Sequence, residues 1–177
     1  MKYKNPYGKG IEGRTFVLSE LWHRLQGGSN MKVSTKGRYA LRLMVDLGVN
    51  GGEDKYISLK DISARQNISI KYLEQIVTPL HRAGLVRSVR GAQGGYRLSR
   101  KADKYTAGEI LRAIEGSFAP IACLETPENE CERYHDCATV GFWEGMYKVI
   151  SDYVDSVTLK QLIDEHLARH CPGCQEK

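Results

Sequence analysis

From Thr35 to Val49 apolar side chains recur at Tyr39, Leu41, Leu43, Met44, Leu47 and Val49, the spacing of a helix with one buried face, and Gly51-Gly52 supplies its stop. Ser58 stands before Leu59-Lys60-Asp61 as an N-cap with an acid at the third helical position; Ile62 and Ala64 follow, and a stop near Asn67 makes this second helix short. Ser69 caps a third, from Ile70 to Ala83, with Leu73, Ile76, Val77 and Leu80 on one face and Gly84 at its C-terminal break. Two helices separated by about four residues, the second longer, form a helix-turn-helix pattern.

After Gly84 β-branched residues replace the helical stripe. Leu85 to Val89 reads as a strand, Arg90-Gly91-Ala92-Gln93-Gly94-Gly95 as a turn, and Tyr96 to Ser99 as a second strand. A helix-turn-helix followed by a basic hairpin is a winged helix. Thr106-Ala107-Gly108-Glu109 predicts a capping box for a helix through Leu111 and Ile114 to Glu115, which closes the unit. Periodicity is lost from Ser117 to Thr139, so this segment is a loop. It returns from Phe142 to Val157 through Trp143, Met146, Val149, Ile150, Tyr153 and Val154, a stripe suited to a partner helix. Thr158-Leu159-Lys160-Gln161 caps a last helix carrying Leu162, Ile163 and Leu167. The expected fold is mainly α: a winged helix-turn-helix domain with a two-stranded β wing, plus a long C-terminal dimerisation helix.

The divisions that follow are 1–30, 31–116, 117–139, 140–170 and 171–177. Residues 1–30 contain Ile11-Glu12-Gly13-Arg14, which resembles the cleavage sequence of a clotting protease, and end in Gly27-Gly28-Ser29-Asn30 before Met31. They read as an expression leader, the alternative being a natural arm that follows DNA phosphates. No secretory signal pattern is present, and no run approaches the roughly 20 apolar residues of a membrane span, so a cytoplasmic protein without a membrane partner is expected.

Charge sharpens this division. The 177 residues carry 26 Lys+Arg against 21 Asp+Glu, a balance of +5 that is +3 over 1–30, +8 over 31–116 and −6 over 117–177. The basic block coincides with the helix-turn-helix and wing, which suggests a polyanionic partner. In such a motif the second helix enters the major groove. Its outward candidates are Ser69, Lys71, Tyr72, Gln75 and Glu74, opposite Leu73, Ile76 and Leu80. Gln can read adenine and Glu can accept from the cytosine amino group, whereas a bland reading makes this a solvated face. Arg87, Arg90 and Arg97 surround Gly91, Gln93, Gly94 and Gly95, a basic loop whose amides can approach phosphates or enter a minor groove. Lys36 and Arg38 would add phosphate contacts at the start of the first helix.

Of five cysteines, Cys123, Cys131 and Cys137 are spaced C-x7-C-x5-C in a loop with Pro127 and Asn129. An odd count clustered in this way argues for an intracellular thiolate site rather than a secreted disulfide framework. On spacing alone the three thiolates could hold zinc or an iron-sulfur cluster, remain thiols, or form a disulfide. Cys171-Pro172-Gly173-Cys174 is a separate pair, read as a tail, a redox couple or half of a metal site, with His166 and His170 beside it at i, i+4. Nothing supports an enzyme, since phosphate-binding loops, a Ser-His-Asp set and paired carboxylates in a recognisable setting are all missing.

Ser34-Thr35-Lys36-Gly37-Arg38-Tyr39-Ala40-Leu41, Tyr72-Leu73-Glu74-Gln75, Gly84-Leu85-Val86, Ser88-Val89-Arg90-Gly91 and Gly94-Gly95-Tyr96 resemble the Rrf family of bacterial winged-helix regulators, and the likeness extends over residues 31 to 169. It implies a homodimer on a palindromic double-stranded DNA operator, with the long C-terminal helix crossing to the partner and with Glu74 and Arg90 reading sequence. It also implies a repressor of iron-sulfur, cysteine or redox and nitric oxide stress genes, controlled by a 2Fe-2S or 4Fe-4S iron-sulfur cluster on Cys123, Cys131 and Cys137. The chain departs from the family in two ways. Its first cysteine interval is longer than the common C-x5-C-x5-C, and Val140 stands where one member places a ligating histidine. The fourth ligand is thus open between His135, Asp136 and a group from the partner's N-terminal helix. Pro120-Ile121 after Glu115-Gly116 resembles instead a cluster-free branch that represses cysteine metabolism together with a cysteine-synthesis enzyme.

Overall fold

The structure, a computed structural model, describes residues 33–91, 94–126 and 131–170. The expected leader, Gln93, Pro127, Asn129, Cys171 and Cys174 lie outside the described residues. Within them run α1 (Thr35–Asn50), α2 (Leu59–Gln66), α3 (Ile70–Arg82), β1 (Val86–Val89), β2 (Gly95–Leu98), α4 (Ala107–Glu115), α5 (Val140–Ser156) and α6 (Leu159–Arg169), with 3-10 turns at Ala102–Lys104 and Ala122–Leu124. This is the expected mainly helical winged-helix fold.

Hydroxyl side chains start the helices. Ser34, Ser58, Ser69, Thr106 and Thr158 each accept from the backbone N–H three residues on, satisfying a donor the helix leaves orphaned. The box expected at α4 is only half formed, because Glu109 turns away to Arg100. At α6 it is complete, with Gln161 accepting from the Thr158 N–H at 2.7 Å. α2 stops at Asn67, which is left-handed at φ 53°, ψ 48°. Pro79 lies inside α3. With no N–H at that position, the Gln75 carbonyl lacks its helical donor, while Thr78 Oγ1 donates to the Glu74 carbonyl at 2.7 Å.

α1 is the spine of the core. Its Ala40, Leu43, Met44 and Leu47 meet Ile62 of α2, Leu73, Ile76, Val77 and Leu80 of α3, Val86 and Leu98 of the hairpin, and Ile110 of α4. Leu159 and Ile163 of α6 join the same core, and a Cβ on Gly48 of α1 would lie 2.3 Å from Ile163 Cδ1. Burial on α6 is confined to its first two turns, so Leu167, expected on its apolar stripe, is 50% exposed.

The wing strands begin at Val86 and Gly95, each offset by one residue from the expected strands at Leu85 and Tyr96. They pair antiparallel with Arg87 opposite Arg97 and Val89 opposite Gly95. Ile57 adds a short third run, exchanging hydrogen bonds of 2.8 and 2.9 Å with Tyr96. α5 reaches the rest through α4, where Arg112 holds Asp155 with two bonds of 2.6 and 2.8 Å. No α5 residue is buried, and Phe142, Val149 and Tyr153 are among the most exposed large apolar side chains.

Candidate nucleic-acid interface

Three polar links tie α1, against which α3 packs, to its other neighbours α2 and α4. Asp46 of α1 is 3% exposed. It accepts from Arg65 Nε at 3.0 Å, from the Arg65 guanidinium again at 2.6 Å and from Gln66 Nε2 at 2.9 Å, so one buried carboxylate ties α2 to α1 with its charge paired. The Asp46 carboxylate in turn holds the Arg65 guanidinium above its usual value. Arg42 bonds the Gln66 side chain and carbonyl at 3.1 and 2.9 Å. At the other end of α1, Glu115 accepts from Ser34 N and Ser34 Oγ at 3.1 and 2.7 Å. Between α1 and α3, the Tyr39 and Tyr72 rings meet edge to face at 5.8 Å.

On this frame α3 turns Ser69, Lys71, Glu74 and Gln75 outward, all exposed. Tyr72 differs from the other outward candidates: it is half-buried against Tyr39 and packs on the core. Lys71, Glu74 and Gln75 line an open groove together with Lys36, Thr78, Pro79 and Arg82. Lys36 therefore faces α3, whereas Arg38 is exposed and donates to Thr35 Oγ1 at 3.1 Å. Three cations surround one carboxylate in this groove, which suits phosphates flanking a base edge that can donate. Thr78 and Arg82 went unread in the sequence, yet Lys71, Gln75, Thr78 and Arg82 follow i, i+4, i+7, i+11, so continuing the helical face past its first turn finds them.

The wing carries Arg87 and Arg90 exposed, whereas Arg97 stacks on the Tyr56 ring at 5.1 Å and donates to the Glu53 carbonyl. Its glycines divide by physical cause. Gly91 has φ +114° with open space around it, as a turn tip requires. At Gly95 a Cβ would lie 2.3 Å from the Ile57 carbonyl oxygen, and at Gly94 2.5 Å from that of Val89. Close internal packing, which the sequence does not reveal, accounts for these two. Tyr96 is half-buried against the core.

In the segment before α5, Cys123 is half-buried and Cys131 and Cys137 are exposed. Hydrogen bonds from the Thr139 backbone N–H and side chain, aided by the Val140 N–H at the start of α5, hold the Cys137 thiol below its usual range. Tyr134 bonds Glu144, which pushes its phenol up. Three thiols, one of them acidified, are a donor set for a thiophilic metal. Among the described residues, however, no three His, Cys, Asp or Glu side chains stand together as a metal-holding group. His135 and Asp136, the fourth-ligand candidates, are both exposed.

Comparison with known proteins agrees with this geometry. The model of the Rrf2 family, described as an iron-dependent transcriptional regulator, matches residues 33–165. The HTH-type transcriptional regulator CymR of Bacillus subtilis is 42% identical over 146 residues, covering 82% of this chain and 96% of that protein. The HTH-type transcriptional regulator IscR of Vibrio campbellii is 37% identical over 136 residues, covering 77% and 79%. Among solved structures, T. potens IscR superposes with a TM-score of 0.60 at 37% identity, covering 78% of this chain and 90% of that one.

Proposed function

This chain belongs to the Rrf2 family of transcriptional regulators, and from that premise we propose that it binds a two-fold symmetric double-stranded DNA operator as a homodimer and represses transcription in the cytoplasm. The observation that carries this reading is the groove in which Lys36 of α1 and Lys71 and Arg82 of α3 frame Glu74 and Gln75. Residues 31–116 then form the DNA-binding domain, with Lys36, Arg38, Lys71, Gly91, Gln93, Gly94 and Gly95 on the phosphate backbone, Ser69 and Tyr72 positioning α3, Tyr96 supporting the wing, and Glu74, Gln75 and Arg90 reading bases. The exposed Phe142, Val149 and Tyr153 of α5 fall at i, i+7 and i+11 and supply the face for a second copy. Among the described residues no helix is long and apolar enough to cross a membrane.

Selection of bound duplexes from a randomised pool tests this. A palindromic consensus is expected, with preference lost at one base pair per half-site in Glu74→Ala, a loss of about 1–3 kcal/mol of discrimination. Recovery of unrelated sequences by the unaltered protein overturns it.

For control of that binding we infer an iron-sulfur cluster on Cys123, Cys131 and Cys137, in a sensor loop at 117–139 between the DNA-binding domain and the 140–170 helices. Three thiol donors in that loop support it, and IscR relatives share the family. The alternative, control by a cysteine-synthesis enzyme without a cluster, draws on the comparable similarity to CymR. Iron and sulfide analysis of anaerobically prepared protein separates them. Stoichiometric iron and sulfide, lost in Cys123→Ala together with any change in operator affinity, is the expected result. Metal-free protein with unaltered affinity in Cys123→Ala transfers control to the partner enzyme.

A further inference from the structure

A cleft of about 480 Å³ lies between α1, the end of α2 and α6, and neither the groove on α3 nor the cysteine loop contributes to it. Its lining includes two rows of half-buried side chains: Leu41 and Val45 at i, i+4 on α1, and Leu162 and His166 at i, i+4 on α6. Small-molecule sites of roughly 300–1,000 Å³ pair an apolar lining of this kind with a few placed polar groups.

The cations of the cleft are not equivalent. Arg65 is paired with the Asp46 carboxylate at 2.6 Å, and Arg169 stands 3.5 Å from Glu165. Arg42 bonds only uncharged oxygens: Nε donates to Gln66 Oε1 at 3.1 Å, Nη2 donates to the Gln66 carbonyl at 2.9 Å, and the guanidinium lies over the Tyr39 ring at 5.2 Å. Among the described residues it has no carboxylate partner. Nε and Nη2 make up the side fork of the guanidinium, and Gln66 takes both. The end fork, formed by Nη1 and the second hydrogen of Nη2, offers two parallel donors spaced for a carboxylate. Because Gln66 holds the side fork, the plane of the end fork is set before any ligand arrives, which lowers the ordering cost of binding.

We propose that this cleft binds a small amphipathic monocarboxylate, with its carboxylate on the end fork of Arg42 and its short apolar chain between Leu41 and Val45 on one wall and Leu162 on the other. Arg42, Arg65 and Arg169 against Asp46 and Glu165 leave one positive charge, so a single carboxylate balances the site and an amine of the same length is repelled. The site stands on these contacts alone and does not depend on operator binding.

Titration of isotope-labelled full-length protein with hexanoate, followed by amide chemical shifts and by calorimetry, tests the site. Hexanoate is expected to give saturable shifts centred on Val45, Gln66 and Leu162, whereas hexylamine at the same ionic strength gives none. Acetate, which keeps the carboxylate and lacks the chain, binds at least about ten-fold more weakly. Arg42→Gln, which removes the charge and keeps an amide beside Gln66, weakens hexanoate binding at least about ten-fold. Leu162→Gln lowers hexanoate affinity towards that of acetate and leaves acetate binding as it is. Thermal unfolding of both variants separates loss of the site from loss of the fold. The proposal is overturned if hexanoate produces no saturable shifts in the cleft, if hexylamine binds there as well as hexanoate does, or if folded Arg42→Gln keeps the parent's affinity.

Discussion

Tyr105 is fully buried and yet carries a hydroxyl whose bonding capacity is well used. It donates to the Leu85 carbonyl at 2.8 Å and accepts from the Ser99 and Arg100 N–H groups at 2.8 and 3.0 Å, while the Arg100 guanidinium lies over its ring at 4.3 Å. Burial pushes its phenol up, which keeps the donor proton in place. One side chain thereby joins the entry to β1, the exit from β2 and the approach to α4. Tyr105→Phe removes the oxygen, takes this acceptor from the Arg100 N–H and leaves the Leu85 carbonyl and the Ser99 N–H only their longer mutual bond of 3.3 Å. Urea denaturation is expected to show a loss of about 1–3 kcal/mol with the fold retained; an unchanged midpoint refutes this role. Nothing in the sequence marks Tyr105, because its partners stand 5, 6 and 20 residues away. The caps at Ser58, Ser69 and Thr158 are legible for the opposite reason: donor and acceptor are three residues apart, inside the window that pattern reading uses. Asp46 and Arg65 fall on the unreadable side as well, since a buried ion pair leaves no periodic trace.

At the scale of elements, the helical stripe of α5 is readable from its spacing, but its attachment is not. The stripe predicts a partner, and among the described residues its outer face has none, whereas its foot is fixed by Arg112 and Asp155. The need for glycine at 108 comes from the same contact, since a Cβ there would lie 2.1 Å from Asp155 Oδ1. Hydrogen bonds from Arg112, with Thr106 assisting, hold the Asp155 carboxyl below the usual carboxylate range, and the same pairing raises Arg112. A depressed folded pKa means that the pair stabilises the protein above the unfolded value, near 3.9. The contribution is lost as pH falls through the lower, folded pKa. Both side chains are more than a third exposed or close to it, at 43% and 35%, so screening limits the gain to about 1 kcal/mol or less. Asp155→Asn should therefore melt below the parent at neutral pH, and the two curves should converge as pH falls through the depressed carboxyl pKa. Parallel curves across that range would remove this pair from the account of how α5 is held.

Across the whole molecule, the division of charge matters more than the sum. Residues 31–177 carry only +2, too little to mark a DNA-binding chain, yet +8 lies in 31–116 and −6 in 117–177. The fold gathers part of the first block, Lys36, Lys71 and Arg82, from two helices that are not adjacent in sequence into one groove. A DNA affinity built this way should depend steeply on salt through local phosphate pairing rather than through net charge. Deleting one cation that neutralises a phosphate lowers the slope of log K against log salt concentration by about 0.9, so Lys36→Ala, present twice in a dimer, should flatten it by about 1.8 while leaving the preferred sequence unchanged. Glu74→Ala should do the reverse, keeping the slope and altering the preference, because a carboxylate neutralises no phosphate. Fluorescence anisotropy of a labelled operator over a range of salt concentrations measures both. If Lys36→Ala changes base preference at constant slope, Lys36 reads bases, and the division of this groove into cations that hold the backbone and a carboxylate that reads must be redrawn.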